Sequence, residues 1–587
     1  MKDHRKTDMI SNVFKSMFAV QIMTMLTGIV GSVVDAMITG KFLGENAMAA
    51  FGFTSTVSLA VAIVGGILST GTSVVCGKSL GEGRLERTRQ SFYVCFTAAL
   101  IISIALAAVI VGFAPWIAKL MGAQGDLVPL AADYIRGYGI ACPGIIFVAF
   151  LMPLMQMDGE MNRLMFAVTV MTAGDIVADL LNVLVFHGGM FGMALATAVS
   201  YYLALLMLMP HFVKKDIIFD RPLLRMDGKV VGAMLRNGLP TAVSQLGRML
   251  MVFVLNRYLI TLGGSTAVAA NAVIMSAGNL CLVPATALGS TTQVIAGVLT
   301  GEEDRSGIVR LMRTALIYNV VVNCVCMLLF VIFAGPVVSM FYQAGSAGTD
   351  ITVAGFRFYC LCMFFCGINL AFRSYCQGSG QTTAAYAITI FDCLVCPLLM
   401  ALLLGSLFGV PAVWLCYALG EGVTSAAMLA FFRIRNRKLT KFEALIPFPE
   451  AFGKDIKAAY EYSLSENRPD QVVRMSIDTG SFCMENGGDR RISFLMSLAV
   501  EEAVGNVTEH GFSDGKPHSV EVRVLKKTDG WILCVRDDCQ LFDPKKYVEQ
   551  YTDDDPSVNI GLKLLREIAS DMTYVNAMKL NNLTIGI

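Results

Sequence analysis

Three carboxylates set inside long apolar stretches are the residues whose surroundings most constrain their chemistry. Asp35 lies in one such stretch, and Asp175 and Asp179 lie together in another. A charge in a bilayer core costs several kcal/mol at least, so an acid kept there is a candidate for function. Asp175 and Asp179 are four residues apart, which puts both on one face of a helix. If Asp35 joins them, the three form an oxygen-rich cluster able to hold a proton or Na⁺. Desolvation and mutual repulsion would make protonation accessible near neutral pH. Antiport follows if the cation and a second ligand compete for one state of the protein. Asp392 and Glu421 are isolated acids in later apolar stretches. Pairing with Arg248 or Arg373 would explain them as well as cation binding would.

The elements that must carry these acids are membrane spans. The 587-residue chain is 55% hydrophobic and 16% charged, with a mean hydropathy of +0.62, whereas soluble chains carry about 25% charged residues. From Phe14 to Phe432 it is a succession of apolar stretches, each near the roughly 20 residues that cross a bilayer. The pattern predicts about twelve spans, at 14–35, 50–76, 91–114, 133–155, 163–186, 190–210, 234–262, 267–297, 314–336, 352–375, 382–405 and 409–432. Charge becomes dense after Pro447. The expected division is therefore a six-span lobe over 1–222, a second over 223–440, a linker over 441–449 and a polar domain over 450–587.

Lys and Arg alternate between connections. Lys78, Arg84, Arg87 and Arg89 follow the second span, Lys214, Lys215, Arg221, Arg225 and Lys229 the sixth, and Arg305 and Arg310 the eighth. Arg433, Arg435, Arg437, Lys438 and Lys441 follow the last, while the opposite loops carry almost none. The positive-inside rule then places both termini in the cytosol of a multi-pass protein of the cell membrane, inner or plasma. A net charge of +1 without an aromatic-interleaved basic patch gives no footing for nucleic acid. Cys393 and Cys396 form a lone C-x-x-C inside a span, where cysteine reads as a small apolar residue and not a metal ligand. Met1 to Lys15 is polar and lacks a small-residue cleavage site after it, so the first apolar stretch reads as a span.

The apolar region repeats itself at an offset close to 220 residues. Leu43-Gly44 with Met48-Ala49-Ala50 returns as Leu262-Gly263 with Val268-Ala269-Ala270, and Gly77 to Gly81-Glu82 returns as Gly297 to Gly301-Glu302. Gln156 and Gly159 return as Gln377 and Gly380. Six spans per repeat leave the halves parallel, with a substrate cavity expected between them. Val34-Asp35 through Gly40, Gly81-Glu82-Gly83, Asp175-Ile176-Val177-Ala178-Asp179, Phe191 to Thr197 and Gln377-Gly378-Ser379-Gly380 occur in an order and spacing that resembles the multidrug and toxic compound extrusion (MATE) family. The resemblance covers about three-quarters of the chain. It implies export of small organic cations or other drug-like substrates, coupled to H⁺ or Na⁺, with Asp35 and Asp179 matching the family's acids. Asn is common in the family where this chain has Asp175.

The polar region reads as α+β, with strands expected at Val472–Ile477, Ser519–Leu525, Trp531–Arg536 and Leu583–Ile587, and an amphipathic helix at Ile492–His510. That helix holds Glu501-Glu502-Ala503-Val504-Gly505-Asn506, followed by Val535-Arg536-Asp537-Asp538 and Asn559-Ile560-Gly561-Leu562. These pieces resemble the GHKL ATPases, in particular the small serine kinases that act as anti-sigma factors. The resemblance implies Mg-ATP as cofactor, with Asn506 on Mg²⁺, Glu502 as general base, Asp537 on the adenine amino group and Gly561 beside phosphate. It also implies an anti-anti-sigma-like protein partner. The family's two glycines after the aspartate are absent from Asp537-Asp538-Cys539-Gln540-Leu541, and the lid is acidic at Asp553-Asp554-Asp555. No G-x-x-x-x-G-K-[ST] occurs, so this domain is not expected to drive transport. The leading expectation is a cation-coupled exporter with a cytosolic ATPase-like regulatory domain. The alternatives are a lipid-linked sugar flippase of the same superfamily and a membrane-tethered serine kinase.

Overall fold

The computed structural model describes residues 8–214, 217–340, 348–437, 439, 442–465, 468–514, 517–544, 546 and 560–587. Among them, eleven helices are long and apolar enough to cross a membrane. The helices begin with α1 (Met9–Ile38), α2 (Glu45–Gly81), α3 (Leu85–Gly112), α4 (Leu127–Met157), α5 (Met161–Leu181), α6 (Gly189–Leu208) and α7 (Gly228–Cys281). They continue with α8 (Val283–Gly301), α9 (Arg305–Tyr318), α10 (Cys362–Gly378), α11 (Thr382–Ile390) and α12 (Leu415–Arg435).

The longest helix accounts for the difference from twelve. Within α7, Gly264 adopts φ 62° and ψ −156°, which is not helical. Asn271 donates to Asn256 at 2.7 Å. In a straight helix two residues fifteen apart stand about 22 Å apart, so the chain folds back at Gly264: α7 supplies one pass before it, and the rest of α7 continued by α8 supplies the next. Glycine fits this bend because a side chain is strained at such a φ.

Helix ends are set by local chemistry. Asp8 accepts from the Ile10 N–H at 3.2 Å to start α1, and Asp304 accepts from the Gly307 N–H at 2.8 Å to start α9. The two lobes meet along a glycine seam where α2 runs against α8. A Cβ on Gly77 would stand 3.6 Å from Gly297 Cα, and one on Gly81 would collide with the Val298 carbonyl. Only glycine lets the two backbones come this close, which explains the duplicated glycine spacing. We call this end of the bundle, which also carries the C-terminal domain, the basal end.

The C-terminal domain is a five-stranded antiparallel sheet of order β1-β2-β3-β5-β4, with β1 at Ile456–Leu464, β2 at Val520–Lys527, β3 at Trp531–Asp537, β4 at Asp571–Ala577 and β5 at Leu580–Gly586. One face is covered by α13 (Pro469–Glu485), α14 (Arg490–His510) and α15 (Ile560–Ile568). Alternate residues of β2 and β3 (Val520, Val522, Val524, Trp531, Leu533, Val535) fill that core.

One expected strand is wrong. Val472–Ile477 belongs to α13, where Val472, Met475, Ser476, Thr479, Gly480 and Cys483 are buried at helical spacing behind an N-terminal proline. The first strand lies earlier, at Ile456–Leu464. The expected strands at 519–525, 531–536 and 583–587 and the helix at 492–510 lie within observed elements of the same kind, apart from their end residues Ser519 and Ile587.

Candidate functional site

Asp35, Asp175 and Asp179 come together in the distal half of the first lobe. Asp35 stands near the far end of α1, and α5 packs beside it. The Asp35 and Asp179 side chains face each other, with Asp175 near enough to act on both. Asp175 also lies against α1 one turn earlier, where a Cβ on Gly31 would be 3.7 Å from its Oδ2. Ser200 of α6 donates to Asp175 Oδ1 at 3.1 Å. Asp179 is 1% exposed, and among the described residues neither of its oxygens has a hydrogen-bond donor. Two carboxylates in contact with no donor between them repel, and a proton or a bound cation relieves that repulsion.

The surroundings add residues that the spacing of acids alone does not reveal. Tyr134 and Tyr138 of α4 stack at 6.0 Å and both lie within electrostatic reach of the acids, as does Tyr201 of α6. Two tyrosines four apart inside a span were the available signal for the first pair. The wall is fixed by Asn182, which accepts from the Gly188 N–H at 3.1 Å and donates to the Gly189 carbonyl at 3.2 Å. A side chain at Gly192 would collide with Asn182, which gives a reason for glycine in the stretch Phe191 to Thr197.

In the second lobe the structure favours pairing. Arg373 of α10 reaches Asp392 at 3.3 Å and donates to Ser244 of α7 at 3.1 Å. Asn369 donates to Glu421 at 2.6 Å and accepts from Ser425 at 2.8 Å. The lobes therefore differ in charge: the first gathers acids alone, the second acids with a guanidinium.

In the C-terminal domain, Glu502 of α14 and Gly561 of α15 are in contact, because a Cβ on Gly561 would overlap the Glu502 carboxylate. Asn506 follows Glu502 by four residues on α14 and is half-buried. Asp537 ends β3, where its Oδ1 accepts from Asn581 at 2.7 Å and from the Cys539 N–H at 3.0 Å. Burial pushes its carboxyl above the usual range, against those two donors. Asp553, Asp554, Asp555 and Asn559 lie outside the described residues.

The MatE family model matches residues 21–181 and 240–403, more than half of the chain. The chain belongs to the MatE family. The model described as a histidine kinase-like ATPase domain matches residues 466–587 of this MATE-type transporter. Over 445 residues the transporter is 21% identical to the multidrug export protein MepA of Staphylococcus saprophyticus, covering 73% of this chain and 95% of that protein. It is 24% identical over 347 residues to the probable multidrug resistance protein YoeA of Bacillus subtilis, covering 56% and 74%. A solved MATE structure in complex with MaD3S superposes with a TM-score of 0.68 at 21% identity, over 74% of this chain and 97% of that one. A multidrug resistance MATE transporter in an outward-facing conformation gives 0.66 at 22%, over 74% and 96%. These superpositions show the fold of the membrane part of this MatE protein.

Proposed function

We propose that this protein is an antiporter that exports drug-like organic molecules across the cell membrane in exchange for H⁺ or Na⁺. The observation that carries the reading is the contact between Asp35 and the donor-free, fully enclosed Asp179. The pair is stable when a proton or cation is shared and strained when it is empty, which is what a coupling site requires. Asp175, held by Ser200, would complete the oxygen set. The basal end is the cytosolic one on this reading, because the Lys- and Arg-rich connections gather there. With the seam closed at that end, cargo has its way out on the opposite side. The names of the relatives, a multidrug export protein and a probable multidrug resistance protein, support cargo of this class.

The C-terminal domain would then be a regulatory module that takes Mg-ATP. Asn506 would hold Mg²⁺, the Gly561 backbone would meet phosphate at the start of α15, and Asp537 would take the adenine amino group. The fit rests on the contact of Glu502 with Gly561 and on the fixed orientation of Asp537. Bound there, the nucleotide supplies a concentrated negative charge and a purine edge.

The test is efflux of ethidium from cells expressing the full chain or Asp35→Asn, with and without a proton or Na⁺ gradient. Gradient-dependent efflux, reduced by about tenfold or more in the variant, is the expected result. Undiminished efflux from Asp35→Asn would move the coupling site elsewhere.

A further inference from the structure

The face of the C-terminal sheet opposite its helices is turned toward the transporter, with Lys457, Ala459 and Glu461 of the border strand β1 left exposed. It lies on the basal end of the transporter and touches both lobes. On the second-lobe side the contact is ionic. Arg536 of β3 pairs with Glu302 and reaches Asp304 at 3.0 Å, and Arg523 of β2 reaches Asp304 at 3.1 Å and the Glu302 carbonyl at 3.0 Å. Lys527 meets Glu303 at 2.7 Å, and Arg310 of α9 grips Glu521 with both nitrogens. Asp304 is fully buried and Arg523 and Arg536 nearly so, so the centre of this network is desolvated, while Lys527, Glu303 and Arg310 at its edge stay partly exposed. Pairs of this kind are costly to pull apart, because separating them leaves buried charges without partners.

The first-lobe side is different. There the hairpin tip between β4 and β5 reaches the turn joining α4 to α5. The Met578 N–H donates to the Met157 carbonyl at 2.6 Å, and Lys579 lies over Gly159, where any side chain would strike it. Val575, Ala577, Met578 and Leu580 share one apolar cluster with Met157 and Met161. Thr573 approaches Gly83 in the turn after α2. Both tip residues have positive φ, 58° at Met578 and 64° at Lys579, where such turns ordinarily use asparagine and glycine. Strain of this kind persists only where surroundings enforce it, and it gathers at switching elements.

A hydrogen-bonded path joins this tip to the nucleotide-type site. Asn581, two residues beyond Lys579, donates to Asp537 at 2.7 Å, and its carbonyl oxygen accepts from Asn576 at 2.8 Å and from Tyr574 at 2.6 Å. Asn581 and the Cys539 N–H both use Oδ1 of Asp537, so a ligand that claims this oxygen competes directly with the residue that fixes the neck of the hairpin.

We propose that the C-terminal domain straps the basal seam shut, anchored on the second lobe by Arg523 and Arg536 and latched on the first lobe by the Met578–Lys579 tip, which a ligand at Asp537 releases. Opening the cavity at this end requires Gly81 and Gly301 to part, which carries the α4–α5 turn away from Glu302 and Asp304. One sheet cannot follow both. The buried ion network is the stronger hold, so the strained tip lets go first. The link to Asp537 rests on the proposal that the domain takes Mg-ATP, whereas the strap itself does not.

Hydrogen–deuterium exchange of the full chain in lipid nanodiscs tests the two parts separately, without needing a transport substrate. Met578→Asp removes the apolar tip, and Gly159→Ala pushes the tip away from the other side. In either variant amide exchange over residues 77–83 and 297–303 should rise about fivefold or more, while β2 and β3 stay protected. Unchanged exchange at the seam, with the tip itself exchanging freely, overturns the strap. If neither substitution frees the tip, the weaker hold is not on the first lobe and the proposal also falls. Mg-ATP added to the unaltered chain should raise exchange at 578–582 and fail to do so in Asp537→Asn. Mg-ATP that protects α14 but leaves the tip unchanged overturns the link. Mg-ATP that protects nothing sinks the nucleotide reading, with the strap decided by the two variants.

Discussion

Asp304 shows how much one side chain can hold. It starts α9 through the Gly307 N–H, accepts from Ser306 at 3.0 Å, and receives the guanidiniums of Arg523 and Arg536. Burial alone would raise its carboxyl, but the two guanidiniums outweigh burial and hold it well below the usual carboxylate range. Asp304→Asn leaves two buried cations short of a partner, a loss of about 3–5 kcal/mol in docking. The variant should show rapid amide exchange over β2 and β3, measured on the full chain. A depressed carboxyl stabilises above the ordinary aspartate value and loses that effect as pH falls through its own lower value. Docking through Asp304 should therefore be constant between neutral pH and about pH 5. Glu302, whose carboxyl burial pushes up in spite of Arg536, acts in the opposite sense and eases docking as pH falls. Asp35, Asp175 and Asp179 were legible as a set because acids in apolar stretches are conspicuous. The interface residues were not, since Arg523 and Arg536 on strands and Glu302 in a turn look like any solvated charge until the two surfaces meet.

At the scale of elements, glycine placement decides which helices touch. Gly301 faces the Lys78 carbonyl and Gly81, so a side chain there has nowhere to go. Gly301→Leu should wedge α2 from α8 and leave the seam open. The expected readout is a several-fold rise in exchange over 77–83 with the acid cluster undisturbed. The duplicated glycines were readable in the sequence; their meeting each other across the lobes was not. The fold-back at Gly264 was legible as two separate spans, 234–262 and 267–297, the second running from α7 into α8, because Gly263-Gly264 interrupts the apolar pattern. The strand expected at Val472–Ile477 failed for a physical reason. A short run of valine, methionine and isoleucine fits either period, and the proline at its head and the spacing of Met475, Thr479 and Cys483 decide for a helix. β1 and β4 were missed: both border the sheet, β1 has half-exposed alternation, and β4 mixes polar and apolar residues on both faces, with Thr573 beside Val575 on one and Asn576 beside Met572 on the other.

The whole molecule joins two parts by a short stretch between Arg435, the last residue of α12, and Ile456, the first of β1. That stretch is itself tied down, by Arg305 against Glu443 at 3.2 Å and by Gln381 donating to the Pro447 carbonyl at 2.6 Å. Inserting a protease site at 438–441 and cutting it tests what the tether contributes. The cut domain should leave the transporter on dilution below micromolar concentration, while the uncut chain stays docked at any dilution, as size-exclusion chromatography would show. The reason lies in local concentration. A tether of this length holds the sheet at millimolar levels beside its seat. A weak grip at Met578 can then open and reclose many times without the domain being lost, and its occupancy does not depend on how many copies of the protein a membrane holds. Covalent fusion thus turns a docking contact into a switch whose set point is the same in every molecule.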